Sequence, residues 1–275
     1  MKNILLRSLS GTIYVALIVA GVLVSKWTVL ALCLLLVILA QIEYFTLYSH
    51  DDAKRRRIIC VADTVGAMIL TGGVWLLTNY FSAIGLMAYL IYLLFRLVMQ
   101  LYISKDTPLS TLAYSFMGQL YIALPISLLP ILEPHIALAM FIFIWLNDTG
   151  AFIVGCSIGR HPLFPRISPK KSWEGFWGGI VFCIAAAILF GTFWPDYFMS
   201  TPIGSMPIGV FIGMAFTVSI FATWGDLVES LLKRTLHVKD SGHIMPGHGG
   251  ILDRIDSLLC VLPATLCYLF FTANL

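Results

Sequence analysis

The sequence predicts an all-α, polytopic integral membrane protein, and three observations lead to that prediction. Of its 275 residues, 59% are hydrophobic and only 11% are charged, whereas roughly 25% of an ordinary globular chain is charged. Apolar runs of about 20 residues, the length that an α-helix needs to cross the hydrocarbon layer, recur along the chain. Lysines and arginines collect in alternate connecting segments, as the positive-inside rule describes.

Nine apolar segments are interpreted as transmembrane helices. They are 10–25, 28–48, 58–78, 82–104, 108–132, 135–157, 176–194, 207–228 and 251–273. The first is short and the turn at 25–27 is tight, so an alternative is that the first two form one re-entrant hairpin. No repeat, linker or low-complexity segment separates the spans, and we therefore predict one integral domain over residues 1–275.

Charge placement predicts the orientation of these spans. With a cytosolic N-terminus, fifteen of the 17 lysines and arginines fall in cytosolic segments, and the C-terminus lies outside. Lys26 falls on the opposite face, and Arg96 lies within the fourth span, near enough to its cytosolic end for the side chain to snorkel. The net charge of +3 therefore reflects loop asymmetry and gives no reason to expect a nucleic-acid partner.

Spans one to five carry few charged side chains. Glu43 and Asp63 lie toward the cytosolic ends of their spans, where an acid costs less than at the bilayer centre. Each of them either lines a site or forms a structural pair. Gly118, Pro125 and Pro130 in the fifth span favour a kink or close helix packing. The six cysteines show no CxxC or metal-ligand spacing and are expected to pack as small apolar residues.

Polar residues return at the end of the sixth span and in the loop that follows it. Asn147 and Asp148 stand just inside the cytosolic end of that span. In the loop, the segment 168–172 (SPKKS) is expected to place two ammonium groups and two hydroxyls around a proline-fixed turn. Such cations and donors suit polyphosphate. A positive-inside anchor is the alternative, although an anchor needs only charge.

The densest polar stretch of the chain runs from Gly225 to Asp256, between two apolar spans. Asp226, Glu229 and Lys233 share one helical face, and the last two could be no more than an i,i+4 ion pair. Glycines at 247, 249 and 250 precede the ninth span, where a helix N-terminus favours an anion. Carboxylates for a hard cation and cations for phosphate thus occur together, which predicts a metal-dependent nucleotide site at the membrane surface.

Three segments resemble the phosphatidate cytidylyltransferases, or CDP-diacylglycerol synthases. The first is S-x-x-K-R-x4-K-D-S-G-H-x-x-P-G-H-G-G-x-x-D-R-x-D, from Ser230 to Asp256, which is similar to the signature of that family. NDTGAF at 147–152 and SPKKSWEG at 168–175 are similar to two further family segments. Phe152 stands where the family pattern leads us to expect tyrosine. The N-terminal half resembles the family only in having several spans.

The resemblance implies a magnesium-dependent transfer of CMP from CTP to phosphatidate, which gives CDP-diacylglycerol and pyrophosphate. The implied catalytic residues are Asp226, Lys233 and Asp253. The metal is assigned to Asp226, Asp253 and Asp148, and by similarity a second cation could be monovalent. The residues expected to bind substrate are Ser168, Lys170, Lys171, Arg234, Lys239, His248, Gly249 and Gly250.

The expected partners are CTP, phosphatidic acid and membrane lipids, in a bacterial inner membrane with the active site on its cytosolic face. A homodimer is left open. Two other functions also stay open at this point. One is a related enzyme that uses CTP with a different lipid phosphate or a lipid alcohol. The other is a transporter, although transporter acids gather at the bilayer midplane in broken helices rather than at one surface.

The orientation can be tested with topology reporters. A reporter fused after Leu275 should register outside the cytoplasm, and reporters inserted near Pro162 and His243 should both register inside, because the basic loops must share one face. A cytoplasmic signal after Leu275 would favour the re-entrant hairpin for the first two spans. Signals on opposite faces at 162 and 243 would rule out a single nucleotide site built from both loops.

Overall fold

The computed structural model describes residues 2–48, 53–103, 108–201, 204–242 and 249–273, with the side chains of 2–9, 48 and 273 excepted. Almost all of these residues are helical, so the all-α prediction is confirmed. The strands among them form two short antiparallel hairpins. The chain divides into two compact units: unit 1 is Met1–Ile131 with Asp240–Arg254, and unit 2 is Leu132–Lys239 with Ile255–Leu275. The single domain stays a prediction.

The predicted spans agree closely with the helices. Within the described ranges, eight helical segments are long and apolar enough to cross a membrane. They are Lys26–Leu47, Ala53–Tyr80, Ile84–Ile103, Pro108–Ile131, Pro134–Ile158, Trp173–Phe193, Ile208–Thr235 and Leu252–Thr272. These match the last eight of the nine predicted spans, and the polytopic membrane protein is confirmed. The apolar part of the first helix, Ser10–Leu23, is shorter, and the orientation of the termini stays a prediction.

In the described residues of unit 1, six α-helices precede the first residues of the helix that begins at Leu252. They are α1 (Lys2–Leu23), α2 (Lys26–Tyr48), α3 (Ala53–Tyr80), α4 (Ile84–Ile103), α5 (Pro108–Gly118) and α6 (Leu124–Ser127). A π-helical turn, Gln119–Ala123, joins α5 to α6, and a 3-10 turn follows at Leu129–Ile131. The fifth span is thus broken where Gly118 and the two prolines predict it, since proline lacks a backbone donor and disturbs the preceding turn.

Unit 2 holds the remaining elements. They are α7 (Pro134–Ile158), β1 (Pro162–Phe164), β2 (Ser168–Ser172), α8 (Trp173–Phe193), α9 (Pro195–Phe198), β3 (Ser200–Thr201), β4 (Gly204–Ser205), α10 (Ile208–Thr235) and most of α11 (Leu252–Ala273). Helices α7, α8 and α10 pack against one another. The expected turn at 168–172 is wrong: this segment is strand β2, and the turn lies at 165–167. Proline is compatible with β2 because the strand is at a sheet edge.

A buried polar network joins α3, α4 and α5 inside unit 1. Arg96 and Asp63 are both fully buried, and Arg96 Nε donates to Asp63 Oδ1 over 2.9 Å. Tyr92 donates to the same carboxylate oxygen over 2.7 Å, and the other Arg96 nitrogens donate to Gln100 and Ser115. The expected snorkelling of Arg96 is therefore wrong. Its guanidinium instead pairs with Asp63 inside the unit. Of the two alternatives for Asp63, a site residue or a structural pair, the structure supports the structural pair.

This pair yields a stability prediction. Asp63→Asn should lower the free energy of unfolding in detergent by about 3–5 kcal/mol, because it leaves the buried Arg96 charge without its counter-ion. The matched control is Arg57→Gln, which changes an exposed cation of the same helix and should have little effect. Equal unfolding midpoints for the two variants would contradict the assignment of the pair as a main stabilising element of unit 1.

Candidate active site

A small apolar cluster positions the β1–β2 hairpin of unit 2. Leu163 of β1 and Ile167 of the turn are buried against α8 and α10. Their buried partners are Phe176, Ile180 and Leu227. Burial of these side chains is favourable by roughly 1.5–3 kcal/mol each. These contacts hold the hairpin against α8 and α10. The position of β2 and its two lysines is thereby fixed.

Three side chains then tie the hairpin to the start of α8. The Ser172 hydroxyl caps this helix, since it accepts a hydrogen bond of 3.2 Å from the Gly175 amide. Glu174 accepts from the backbone amides of Arg160 and His161 and pairs with His161 Nδ1 over 2.6 Å. Besides the two lysines, the motif SPKKSWEG therefore contains Ser172, which caps α8, and Glu174, which binds the backbone just before β1.

The hairpin and the cytosol-predicted ends of α7 and α10 enclose a cavity of about 360 Å³. Its polar lining includes Asn147, Asp148, Lys170, Lys171, Ser172 and Asp226. Phe152, Leu163 and Phe176 contribute apolar walls. Four of the predicted site residues, Asp148, Lys170, Lys171 and Asp226, are thus brought together in one cavity of unit 2, although they come from three separate parts of the sequence.

An ion pair crosses this cavity. Lys171 Nζ lies 2.5 Å from Asp226 Oδ2, and both side chains are about one-third exposed, at 28% and 32%. Ser230 also donates to Asp226 Oδ1 over 3.2 Å. Exposed ion pairs contribute little to stability. The Lys171–Asp226 pair can therefore be exchanged for contacts with a charged ligand at small cost.

Polar groups of α10 hold Asn147, the neighbour of Asp148. Ser219 donates to Asn147 Oδ1 over 2.5 Å, and Asn147 Nδ2 donates to Thr223 over 3.4 Å. Ser219 and Thr223 are not among the residues predicted from the sequence. Their spacing could have revealed them, because Ser219, Thr223 and Asp226 recur at i, i+4 and i+7 and so share one face of α10. This contact fixes the part of α7 that carries Asp148, which lies well before the helix ends at Ile158.

Further along α10, Lys233 forms an ion pair with the buried Glu229, as the i,i+4 spacing allows. Arg234 donates to the Ile167 carbonyl over 3.4 Å, so it contacts the hairpin turn. At Gly225, α10 approaches α11 so closely that a Cβ would lie 2.8 Å from the Asp256 carbonyl. Asp256 lies within electrostatic range of Asp226 and Glu229, so three carboxyl groups lie on this side of α10.

The carboxylates of unit 2 fit a hard cation that shares its ligands with a substrate. Within the ranges that the structure describes, no group of three or more His, Cys, Asp or Glu side chains is arranged to hold a metal ion. Mg²⁺ does not need such a group, since it usually binds one or two carboxylates together with phosphate oxygens and water. Asp148 and Asp226, which line one cavity, provide that donor set.

The predicted residues of unit 1 lie around the start of α11. Asp253 Oδ2 accepts hydrogen bonds from the backbone amides of Ser241, over 2.9 Å, and Gly250, over 2.8 Å. Gly249 has φ +83°, a conformation that side chains rarely adopt. His248 lies outside the described residues. Asp253, Gly249 and Gly250 thus form one local structure, and their predicted roles toward metal and substrate stay predictions.

Ser168 and Lys239, like Arg234, are predicted substrate residues outside the cavity lining. Ser168 begins β2 without being among the residues that line the cavity, and Lys239 is exposed beyond the end of α10. Their predicted roles stay predictions.

Comparison with known proteins supplies the last observation. The model of a family described as the cytidylyltransferase family matches residues 5–272. The phosphatidate cytidylyltransferase of Staphylococcus aureus (strain COL) is 46% identical over 129 residues, 47% of this chain and 46% of that protein. The Bacillus subtilis (strain 168) protein of the same name is 47% identical over 124 residues, 44% and 42% of the two chains. The chain thus spans about half the length of the curated relatives it matches.

Proposed function

The chain belongs to the cytidylyltransferase family, and on that premise we propose that it transfers CMP from CTP to phosphatidate. The products are CDP-diacylglycerol and pyrophosphate. The observation that carries the proposal is the cavity of unit 2, where two lysines and two aspartates meet beside apolar walls. The relatives at 46% and 47% identity are named phosphatidate cytidylyltransferases, which supports this acceptor over another lipid phosphate.

The lysines of β2 are suited to bind the triphosphate. Lys170 is exposed at the cavity, and Lys171 reaches Asp226 from the same strand. An ammonium group binds phosphate as a compact point charge with three donors. On substrate binding, Lys171 exchanges the Asp226 carboxylate for a phosphate oxygen. This exchange costs little free energy because the pair is partly exposed. Lys171 can therefore change its partner while the protein stays folded.

Asp148 and Asp226 would hold the magnesium ion that we propose as cofactor. When bound, such an ion neutralises charge on the phosphates and on the departing pyrophosphate. The chain contributes the placement of these carboxylates: Ser219 of α10 holds Asn147, the neighbour of Asp148 on α7, and Ser230 hydrogen-bonds to Asp226. Asp253 of unit 1 stays a predicted ligand of this ion. A second, monovalent cation also stays a prediction.

The reaction needs no protein nucleophile. A phosphate oxygen of phosphatidate attacks the α-phosphorus of CTP, and the bond from that phosphorus to the oxygen bridging the β-phosphorus breaks. The electron pair leaves with pyrophosphate. A phosphomonoester has a second pKa of about 6, so the lipid phosphate is mostly dianionic at pH 7. The residues of the cavity therefore act by positioning two anions and stabilising the charge that develops.

We further propose that the cavity faces the cytosol from a bacterial inner membrane, where soluble CTP and membrane phosphatidate meet. The apolar walls of Phe152, Leu163 and Phe176 beside the lysines suit a substrate that is part headgroup and part hydrocarbon. A homodimer stays an open possibility for the assembly.

The reaction is tested with purified protein in detergent, radiolabelled CTP and phosphatidate, scoring label that becomes lipid-soluble. The wild type should form labelled lipid only with magnesium. Asp226→Asn should lower kcat by about 100-fold or more, because it removes a charge that acts on the transition state. Asp196→Asn, an exposed acid of unit 2, is the matched control and should be active. If the wild type formed no labelled lipid in the presence of magnesium, the proposed function would be contradicted.

The phosphate role of β2 is tested by Lys170→Ala. We expect KM for CTP to rise about tenfold with a smaller change in kcat, because the variant loses a charge-assisted contact to the triphosphate. Arg166→Ala removes an exposed cation from the turn of the same hairpin, outside the cavity lining, and serves as the control. Equal KM values for the two variants would favour the positive-inside anchor.

A further inference from the structure

Glu43 is a buried acid far in sequence from the residues of the candidate active site. It lies on α2 in unit 1 and is 4% exposed. Its Oε2 accepts a hydrogen bond of 2.8 Å from the backbone amide of Leu252, the first residue of α11. A carboxylate is buried at large cost unless hydrogen bonds satisfy it. The partner that Glu43 has found is the backbone of the glycine-rich signature segment, 209 residues further along the chain.

The glycines of that segment are shaped around the same carboxylate. A Cβ atom on either Gly242 or Gly250 would collide with Glu43 Oε1. Neither glycine has a positive φ, in contrast to Gly249. Gly242 and Gly250 therefore leave space that Glu43 occupies, and at Gly250 the Ser241 hydroxyl occupies part of it as well. The two glycines are therefore in direct contact with the Glu43 carboxylate.

The same backbone also binds Asp253. The amides of Ser241 and Gly250 donate to Asp253 Oδ2, and the Asp253 amide donates to the Ser241 hydroxyl over 3.3 Å. Residues 243–248 lie outside the described part of the chain, but the segments on both sides of them are joined by these bonds. Glu43 contacts this arrangement through Leu252, Gly242 and Gly250.

We propose that Glu43 is a positioning residue for the signature segment: its carboxylate holds the Leu252 amide and fixes the backbone that orients Asp253. The inference rests on the proposed function, in which Asp253 is a predicted metal ligand. Glu43 is too buried to contact a substrate, and its Oε2 is already engaged, so its effect passes through the backbone.

Three variants of Glu43 separate this role from others. Glu43→Ala removes the acceptor and should lower kcat at least about tenfold, with smaller changes in KM, because the lost alignment matters in the transition state. Glu43→Gln keeps an acceptor oxygen at the same distance and should stay within about threefold of the wild type. If Glu43→Ala is not recovered as folded protein, Glu43→Asp, which withdraws the carboxylate by one methylene, takes its place.

A second measurement does not depend on activity. In the unliganded protein, Glu43→Ala should speed amide hydrogen exchange at Leu252 and in the flanking residues 241–242 and 249–254. The matched control is Gln41→Leu, which removes a buried hydrogen bond to the Gly118 carbonyl from the same helix. That control should not speed exchange in the signature segment.

The collision with Gly242 gives the sharpest test. Gly242→Ala should lower kcat more than about fivefold in the wild type but less than about twofold in the Glu43→Ala background, since the space is then empty. Additive effects would overturn the inference, as would equal kcat and exchange for Glu43→Ala and Gln41→Leu. Loss of activity in Glu43→Gln equal to that in Glu43→Ala would show that charge is needed instead. An inactive wild type would refute the proposed function, while the exchange measurement would still test the contact.

Discussion

The scarcity of hydrogen-bonding partners in a membrane interior is the constraint on which the rest of this structure depends. A helical chain in which 59% of residues are hydrophobic satisfies its backbone internally, but every buried ionic side chain still needs a partner from the protein. Arg96 finds Asp63, and Glu43 finds the Leu252 amide. The first contact joins the consecutive helices α3 and α4, and the second joins α2 to the start of α11, 209 residues further along the chain. Buried charges thus contribute to which helices meet.

The two ion pairs discussed above differ in exposure. The buried pair is structural, and the partly exposed pair is available for chemistry. The Arg96–Asp63 pair is fully buried, and Arg96 also donates to Gln100 of its own helix and to Ser115 of α5. Breaking it leaves an uncompensated charge, so it cannot exchange with a ligand. Lys171 and Asp226 are about one-third exposed in a cavity, and their mutual attraction is weak enough to be replaced by phosphate and a cation. The proposed site therefore uses a pair that is easier to separate than the buried Arg96–Asp63 pair.

The signature motifs of the family also carry structural residues beside the reactive ones. In SPKKSWEG, Ser172 caps α8 and Glu174 clamps the hairpin, so that the lysines are presented on a rigid strand. Around Asp253, Gly249 supplies a special backbone conformation, while Gly242 and Gly250 leave room for Glu43. This division suits phosphoryl transfer, in which the protein contributes mainly positioning and charge. A transporter is less consistent with this arrangement, because the acid deepest in unit 1, Asp63, is engaged in a structural network.

The sequence by itself determined the helices, their approximate bounds and the segments that carry the chemistry. These depend on local properties, namely runs of apolar residues, proline positions and motif spacing, which can be read within a window of about 20 residues. Tertiary structure decided the partners: Lys171 with Asp226, Arg96 with Asp63 rather than with the membrane surface, and Glu43 with Leu252. It also placed SPKKS on a strand, because packing of Leu163 and Ile167 on two helices overrides the turn tendency of proline. Such pairings join residues about 30 to 209 positions apart, and no local pattern encodes which of several distant polar groups a folded chain will bring within hydrogen-bonding distance.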